Sequence, residues 1–135
     1  MFQLSKKVEY ALIAMRHMAI VRGTGVVTAK EIADKYALPY DLLAKVMQTL
    51  ARRRFISSYQ GVKGGYILRL DPGTVKVSEV INAIEGKQTV SIIQCEVDSL
   101  ESCSIHSTCT IKIPLIKLQS NINSILNGMS IMEMV

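Results

Sequence analysis

The sequence predicts a mainly α fold with one small β hairpin, arranged as a winged helix–turn–helix followed by a long C-terminal helix. Three observations predict it. Apolar residues recur at helical spacing in five separate stretches, and a capping signal and a Leu-Pro break punctuate the second and third of them. Two short runs rich in β-branched and aromatic residues then flank a glycine-rich connection. With 135 residues, 49% hydrophobic and 20% charged, the chain suits one domain with a buried core and excludes a disordered one.

Ser5 caps a first helix over residues 5–21, in which Val8, Leu12, Met15 and Ala19 share a face. The RGTG at 22–25 ends it, Gly23 and Gly25 both being suited to a turn. Thr28 and Glu31 then form a capping box that opens a short second helix to about Tyr36, with Ile32, Ala33 and Tyr36 on one side. Leu38-Pro39 breaks the chain and restarts it, because proline is tolerated in a first helical turn. The third helix runs to about Arg53 and turns Leu42, Leu43, Val46 and Leu50 inward.

Phe55–Tyr59 and Tyr66–Leu70 read as strands joined through QGVKGG, whose glycines mark positive-φ positions in a hairpin. After the turn at Asp71-Pro72-Gly73, a fourth helix spans Val77–Glu85 and stops at Gly86. Residues 87–110 lack either periodicity. From about Lys112 a long helix reaches Asn127, with Pro114 in its first turn and Gly128 at its stop. Its apolar stripe, Ile111, Leu115, Leu118, Ile122, Ile125 and Met129, alternates four and three apart. That is the seam of a short coiled coil and predicts a homodimer, the alternative being a stripe packed on the chain's own core. The expected division is therefore 1–86 as a DNA-binding region, 87–110 as a cysteine-containing loop, and 111–135 as a dimerisation helix and tail.

Charge is unevenly spread. Residues 1–70 hold 12 Lys/Arg and 4 Asp/Glu, whereas residues 71–135 hold 4 and 7. A basic first half points to a polyanion, and the winged helix–turn–helix order makes it double-stranded DNA. In a winged helix–turn–helix the third helix enters the major groove, where Tyr40, Asp41, Lys45 and Gln48 would face base edges. Arg52, Arg53 and Arg54 would meet phosphates, and Gln60 and Lys63 would stand at the tip of the hairpin. Thr28, at a helix N-terminus, would add a positioning contact. Asp41 either accepts from a cytosine amino group or caps the third helix. No run of about 18 apolar residues exists, so no membrane span is expected. Glu9 and Arg16 interrupt the N-terminal apolar stretch, which argues against a secretory signal and for a cytoplasmic protein.

All three cysteines, Cys95, Cys103 and Cys109, fall within fifteen residues, spaced C-x7-C and C-x5-C. An odd number without a secretory signal argues against a disulfide framework and for a metal or cluster site. Three thiolates and a fourth donor suit an iron–sulfur cluster, and Cys3His with His106 would equally close a zinc site. An enzyme is not expected. The chain has no CxxC and no Gly-rich phosphate loop, and its sole nucleophile–base pairing is Cys103 with His106.

These residues resemble a known family. LSKKVEYALIAM, LAKVMQTLARRRFISSYQGVKGGYIL, KVSEVINAIEG and the cysteine cluster stand in the order found in bacterial iron–sulfur winged-helix transcription regulators of the IscR/NsrR/RsrR family. The resemblance covers nearly the whole chain. Its most specific marks are the GxxGGY from Gly61 to Tyr66 and the cysteine loop after the fourth helix. It implies a cytoplasmic homodimeric regulator, acting as a repressor on an operator of pseudo-twofold symmetry. It implies that Cys95, Cys103 and Cys109 hold a [4Fe-4S] or [2Fe-2S] cluster with a variable fourth ligand. Members using histidine place it where this chain has Lys112, whereas members using a carboxylate take it from the first helix of the other subunit. Glu9 stands at that matching position, and His106 is a local competitor. The resemblance further implies that redox state, nitric oxide or cluster supply controls operator affinity. The alternative is a cluster-free or zinc-binding thiol-sensing repressor of the same fold.

Overall fold

A computed structural model describes residues 3–86 and 108–135. Among these, the chain runs α1 (Lys6–Ile20), α2 (Ala29–Tyr36), α3 (Tyr40–Arg52), β1 (Ile56–Tyr59), β2 (Gly65–Leu68), α4 (Val77–Glu85), α5 (Lys112–Gly128) and a terminal 3-10 turn (Ile131–Met134). The fold class read from the sequence is the one observed. Three helix ends are set locally. The Ser5 hydroxyl accepts from the Val8 N–H, the Thr28 hydroxyl accepts from the Glu31 N–H, and Gly86 ends α4 in the left-handed region at φ 73°.

One core joins these elements. Met15 and Met18 of α1, Ile32 of α2, Leu43, Met47 and Leu50 of α3, Ile56 of β1 and Val80 of α4 are all buried. α1 packs against α3, α4, β2 and the terminal turn, so it is the central strut of the molecule. The hairpin is antiparallel, with Ile56 opposite Leu68 and Tyr59 opposite Gly65. A further rung was not evident in the sequence: Val27, just before α2, exchanges backbone hydrogen bonds with Tyr66 at 2.8 and 2.7 Å. Gly65 is required at that crossing, because a Cβ there would lie 2.8 Å from the Val27 carbonyl oxygen.

Two turns depart from the expected backbone. Ala37, at the end of α2, lies at φ 54°, and Arg54, beyond α3, lies at φ 67°. Both occupy the left-handed region that usually selects glycine. Neither residue type signals this, because the compact α2–α3 turn and the approach of Phe55 to the core impose it. The Leu38 N–H closes the first turn on the Ala33 carbonyl, and the Phe55 N–H closes the second on Leu50.

The chain beyond α5 returns to the core. The Val77 N–H donates to the Met129 carbonyl and the Ile131 N–H to that of Val75, each at 2.9 Å. Ile131 is fully buried in the same core as α1 and α4.

Candidate nucleic-acid interface and sensor residues

α3 is amphipathic in the sense its sequence predicts. Leu43, Val46, Met47 and Leu50 are buried, while Tyr40, Asp41, Lys45, Gln48 and Arg52 are exposed. Asp41, Lys45, Gln48 and Arg52 follow one another at spacings of four, three and four, so they form one stripe along the helix. The capping alternative for Asp41 is not realised. Pro39 is the N-cap and no side chain caps α3, so Asp41 sits exposed in the first turn. Its carboxylate favours the helix dipole and remains on the exposed stripe.

The basic end of α3 is partly organised. The Arg52 guanidinium donates to the Thr49 hydroxyl at 3.1 Å, and that hydroxyl donates to the Lys45 carbonyl at 3.1 Å. Arg52 therefore lies back along the helix rather than free in solvent. Arg53 and Arg54 are exposed beside it. A cleft of about 430 Å³ separates α3 from the hairpin and is lined by Gln48, Ala51, Arg52, Ser58, Gln60 and Tyr66. This cleft brings Gln48 and Arg52 of the helix together with Gln60 of the hairpin.

Ser58 and Tyr66 were missed as site residues by sequence reasoning. The signal that could have found Tyr66 is its place at the end of GxxGGY, where the chain re-enters the sheet. Burial raises the Tyr66 phenol above its ordinary value, and nearby Tyr40 adds to the shift, so the group stays a protonated donor at neutral pH. Beyond the cleft, Gln60, Val62 and Lys63 form an exposed tip. Its tightness depends on Gly64, where a Cβ would come within 2.3 Å of the Tyr59 carbonyl oxygen.

Thr28 sits half-buried at the N-terminus of α2 with its hydroxyl engaged by Glu31, so its positioning role would fall to neighbouring N–H groups as well. Thr49, Arg52 and Arg53 at the end of α3 also face Ala83, Ile84, Glu85 and Gly86 at the end of α4 across a second cleft of about 540 Å³. Arg52 and Arg53 thus adjoin the last described residue before position 87.

Of the sensor residues, Cys95, Cys103 and His106 lie outside the described residues. Cys109 is a free thiol, half-buried, a few residues before α5. Glu9 projects from the first turn of α1 and pairs with Lys6 at 2.9 Å, which raises the Lys6 pKa. The pair is solvent-exposed and screened by water and salt, so Glu9 can change partners cheaply. The same end of α1 is tied to the end of α4 by a hydrogen bond from the Ser5 hydroxyl to Glu85. His17 is buried, not a ligand. Its Nδ1 is 2.9 Å from the Tyr36 hydroxyl, and burial, aided by Lys35, lowers its pKa.

α5 leaves its seam largely uncovered. Leu118 and Ile125 are 47% and 69% exposed, while Leu115 and Ile122 are half-buried. The helix reaches the core through Leu126 instead, and its one buried residue is Gln119, whose amide donates to Asn123 at 3.0 Å.

A short brace helix, an exposed polar reading helix and a glycine-tipped wing define a winged helix–turn–helix DNA-binding regulator. The chain belongs to the Rrf2 family of iron-dependent transcriptional regulators, whose model matches residues 4–135. It is 29% identical over 133 residues to the HTH-type transcriptional regulator IscR of Xenorhabdus nematophila, covering 98% of this chain and 79% of that protein. The solved structure of T. potens IscR superposes with a TM-score of 0.74 at 25% identity, covering 98% of this chain and 85% of that one. The oxidised form of Staphylococcus aureus CymR superposes with a TM-score of 0.71, also at 25% identity, covering 96% and 92%. The protein is accordingly a DNA-binding transcription regulator rather than an enzyme. No helix among the described residues is long and apolar enough to cross a membrane.

Proposed function

We propose that this chain is a cytoplasmic, homodimeric repressor whose operator affinity is set by an iron–sulfur cluster held by Cys95, Cys103, Cys109 and Glu9. The observation that carries the DNA-binding half is the single exposed stripe of Asp41, Lys45, Gln48 and Arg52 beside the hairpin cleft. Support for the dimer comes from the uncovered seam at Leu118 and Ile125. Residues 1–86 would read DNA, 87–110 would sense, and α5 would pair the subunits. Tyr40, Asp41, Lys45 and Gln48 would face base edges, with Arg52, Arg53, Lys63 and the N-terminus of α2 at Thr28 on phosphates and Gln60 at the groove edge.

The donor set fits a cluster. Cys109 is a free, half-buried thiol, the three cysteines would offer the thiolates iron–sulfur centres prefer, and Glu9 would supply a carboxylate with only a surface pair to surrender. When bound, the cluster would supply a redox-active centre that oxidation or nitrosylation disrupts, releasing the residues that hold it. The chain's own residues do the rest. Glu9 is on α1, and α1 packs directly on α3 through a core that includes Ala11, Met15, Met18, Leu43 and Met47. A change of partner at Glu9 therefore bears on the helix that carries Lys45 and Gln48. Shifting operator affinity tenfold requires only about 1.4 kcal/mol.

A second reading, a cluster-free or zinc-binding thiol sensor, draws support from the likeness to CymR in an oxidised form and from the free thiol of Cys109. Anaerobic purification followed by iron and acid-labile sulfide analysis decides between them. A brown protein is expected, and Cys95→Ala, Cys103→Ala and Cys109→Ala should each remove its visible absorbance. Glu9→Ala should alter the spectrum or its stability to oxidant, and His106→Ala should not. A colourless protein with stoichiometric zinc would overturn the cluster reading and leave DNA binding intact.

A further inference from the structure

We infer that Arg16 and the segment after α5 form a clasp that fixes the angle between the dimer helix and the DNA-reading unit, and so set the half-site spacing the protein accepts. Arg16 is here a positioning residue. The inference rests on the reading of the chain as an operator-binding dimer.

Leu118 and Ile125 of the apolar seam of α5 are exposed. The helix packs against α4, and Leu126 in its last turns packs on the core. Immediately beyond, the chain runs antiparallel beside the segment that leads into α4. Val77 donates to the Met129 carbonyl at 2.9 Å, Ile131 to that of Val75 at 2.9 Å, and Met132 to that of Pro72 at 3.2 Å. Ser130 faces Lys76 across this pair. Ile131 anchors the segment in the core with no exposed surface. The Ser130 N–H is held by the Glu133 carboxylate at 2.6 Å, which lowers the Glu133 pKa.

The last tie comes from α1. The Arg16 Nε donates to the Met134 carbonyl at 2.7 Å, bridging 118 positions of sequence. Arg16 thus links the terminal turn to the helix that packs on α3, and it does not line the hairpin cleft. A hydrogen bond from an ionised donor is shorter and stronger than a neutral one, so this tie restrains the terminal turn against α1. Hydrogen bonds that fix the orientation of α5 against α1 fix the orientation of two reading helices in a two-fold dimer. Operators demand that orientation closely, since one base pair turns a half-site by about 35° about the duplex axis.

The test uses the full-length protein and an operator selected from a random duplex library. Half-site spacing is then varied by one and two base pairs, and binding is measured for each duplex and for a single half-site. The wild type should lose at least about tenfold in affinity per base pair of misspacing, or about 1.4 kcal/mol. Arg16→Met keeps the aliphatic stem and removes the donor. It should flatten this profile to within about threefold while single-half-site affinity stays unchanged. Arg16→Lys, which retains a donor, should restore part of the discrimination. Glu133→Gln, which weakens the Ser130 tie from the surface, should flatten the profile in the same direction. An unchanged spacing profile in Arg16→Met and Glu133→Gln overturns the inference. Equal loss at every spacing and at the single half-site also overturns it, because that marks a purely structural role. A wild-type protein that binds DNA but selects no paired half-sites overturns the dimeric reading and the clasp together.

Discussion

Salt dependence is the sharpest test of the interface. Each protomer exposes Arg52, Arg53 and Arg54 at the end of α3 and Lys63 at the hairpin tip, four cations that the proposed interface would set on phosphates. A two-fold dimer would then neutralise eight phosphates. Each neutralised phosphate contributes about −0.9 to the slope of log K against log salt, so the expected slope is about −7. Between 50 and 200 mM salt that slope amounts to a loss of about 10⁴ in affinity. Arg53 is the cleanest probe, because its side chain is exposed while that of Arg52 is tied to Thr49. Arg53→Ala removes two contacts per dimer and should bring the slope to about −5. Gln48→Ala, a neutral change on the same helix, should leave the slope alone and relax base preference at one position of each half-site. The assay is fluorescence anisotropy with a labelled operator at five salt concentrations, with a scrambled duplex as the control. A wild-type slope flatter than about −3, or an Arg53→Ala slope equal to the wild type's, would refute the assignment of these cations to the DNA face.

Other consequences follow from particular residues. Ile131→Ala empties a fully buried position far from DNA in sequence, and should cost about 2–4 kcal/mol of folding stability in urea denaturation. A loss under 1 kcal/mol would mean that the terminal segment does not belong to the core. Ala37→Gly relieves a left-handed residue and should stabilise by about 0.5–1 kcal/mol, measured the same way; destabilisation would contradict the backbone geometry of the α2–α3 turn. His17 has a folded pKa below its ordinary 6.5, burial being the main cause. The unfolded chain therefore takes up a proton first as pH falls. The stability associated with a neutral His17 is complete above pH 6.5 and is lost as pH drops through the folded pKa. His17→Gln should flatten stability against pH in that window, and an unchanged pH profile would place the acid sensitivity elsewhere.

Much of this molecule was legible where structure is local. Thr28 caps α2 because a hydroxyl beside free N–H groups needs only neighbours three residues away. Gly86 ends α4 where the sequence places it, since only glycine reaches φ 73° without strain. The exposed stripe of α3 follows from apolar periodicity, which leaves one face for the core and the other for solvent. Ala37 and Arg54 were not legible, because alanine and arginine carry no signal for a left-handed backbone, although each turn is closed by a bond spanning five residues. Tyr66 was absent from the expected interface for another reason. Its pairing with Val27 and its closeness to Tyr40 arise from crossings between segments some forty and twenty-six positions apart.

By itself the sequence determined the element order, the basic reading half, the glycine wing and the clustered thiols, because composition, caps and periodicity act over a few residues. Tertiary structure alone decided that Val27 completes the base of the wing and that the chain after α5 returns to pair with the segment before α4. Those features depend on backbone hydrogen bonds between distant segments, and a backbone donor or acceptor is the same in every sequence.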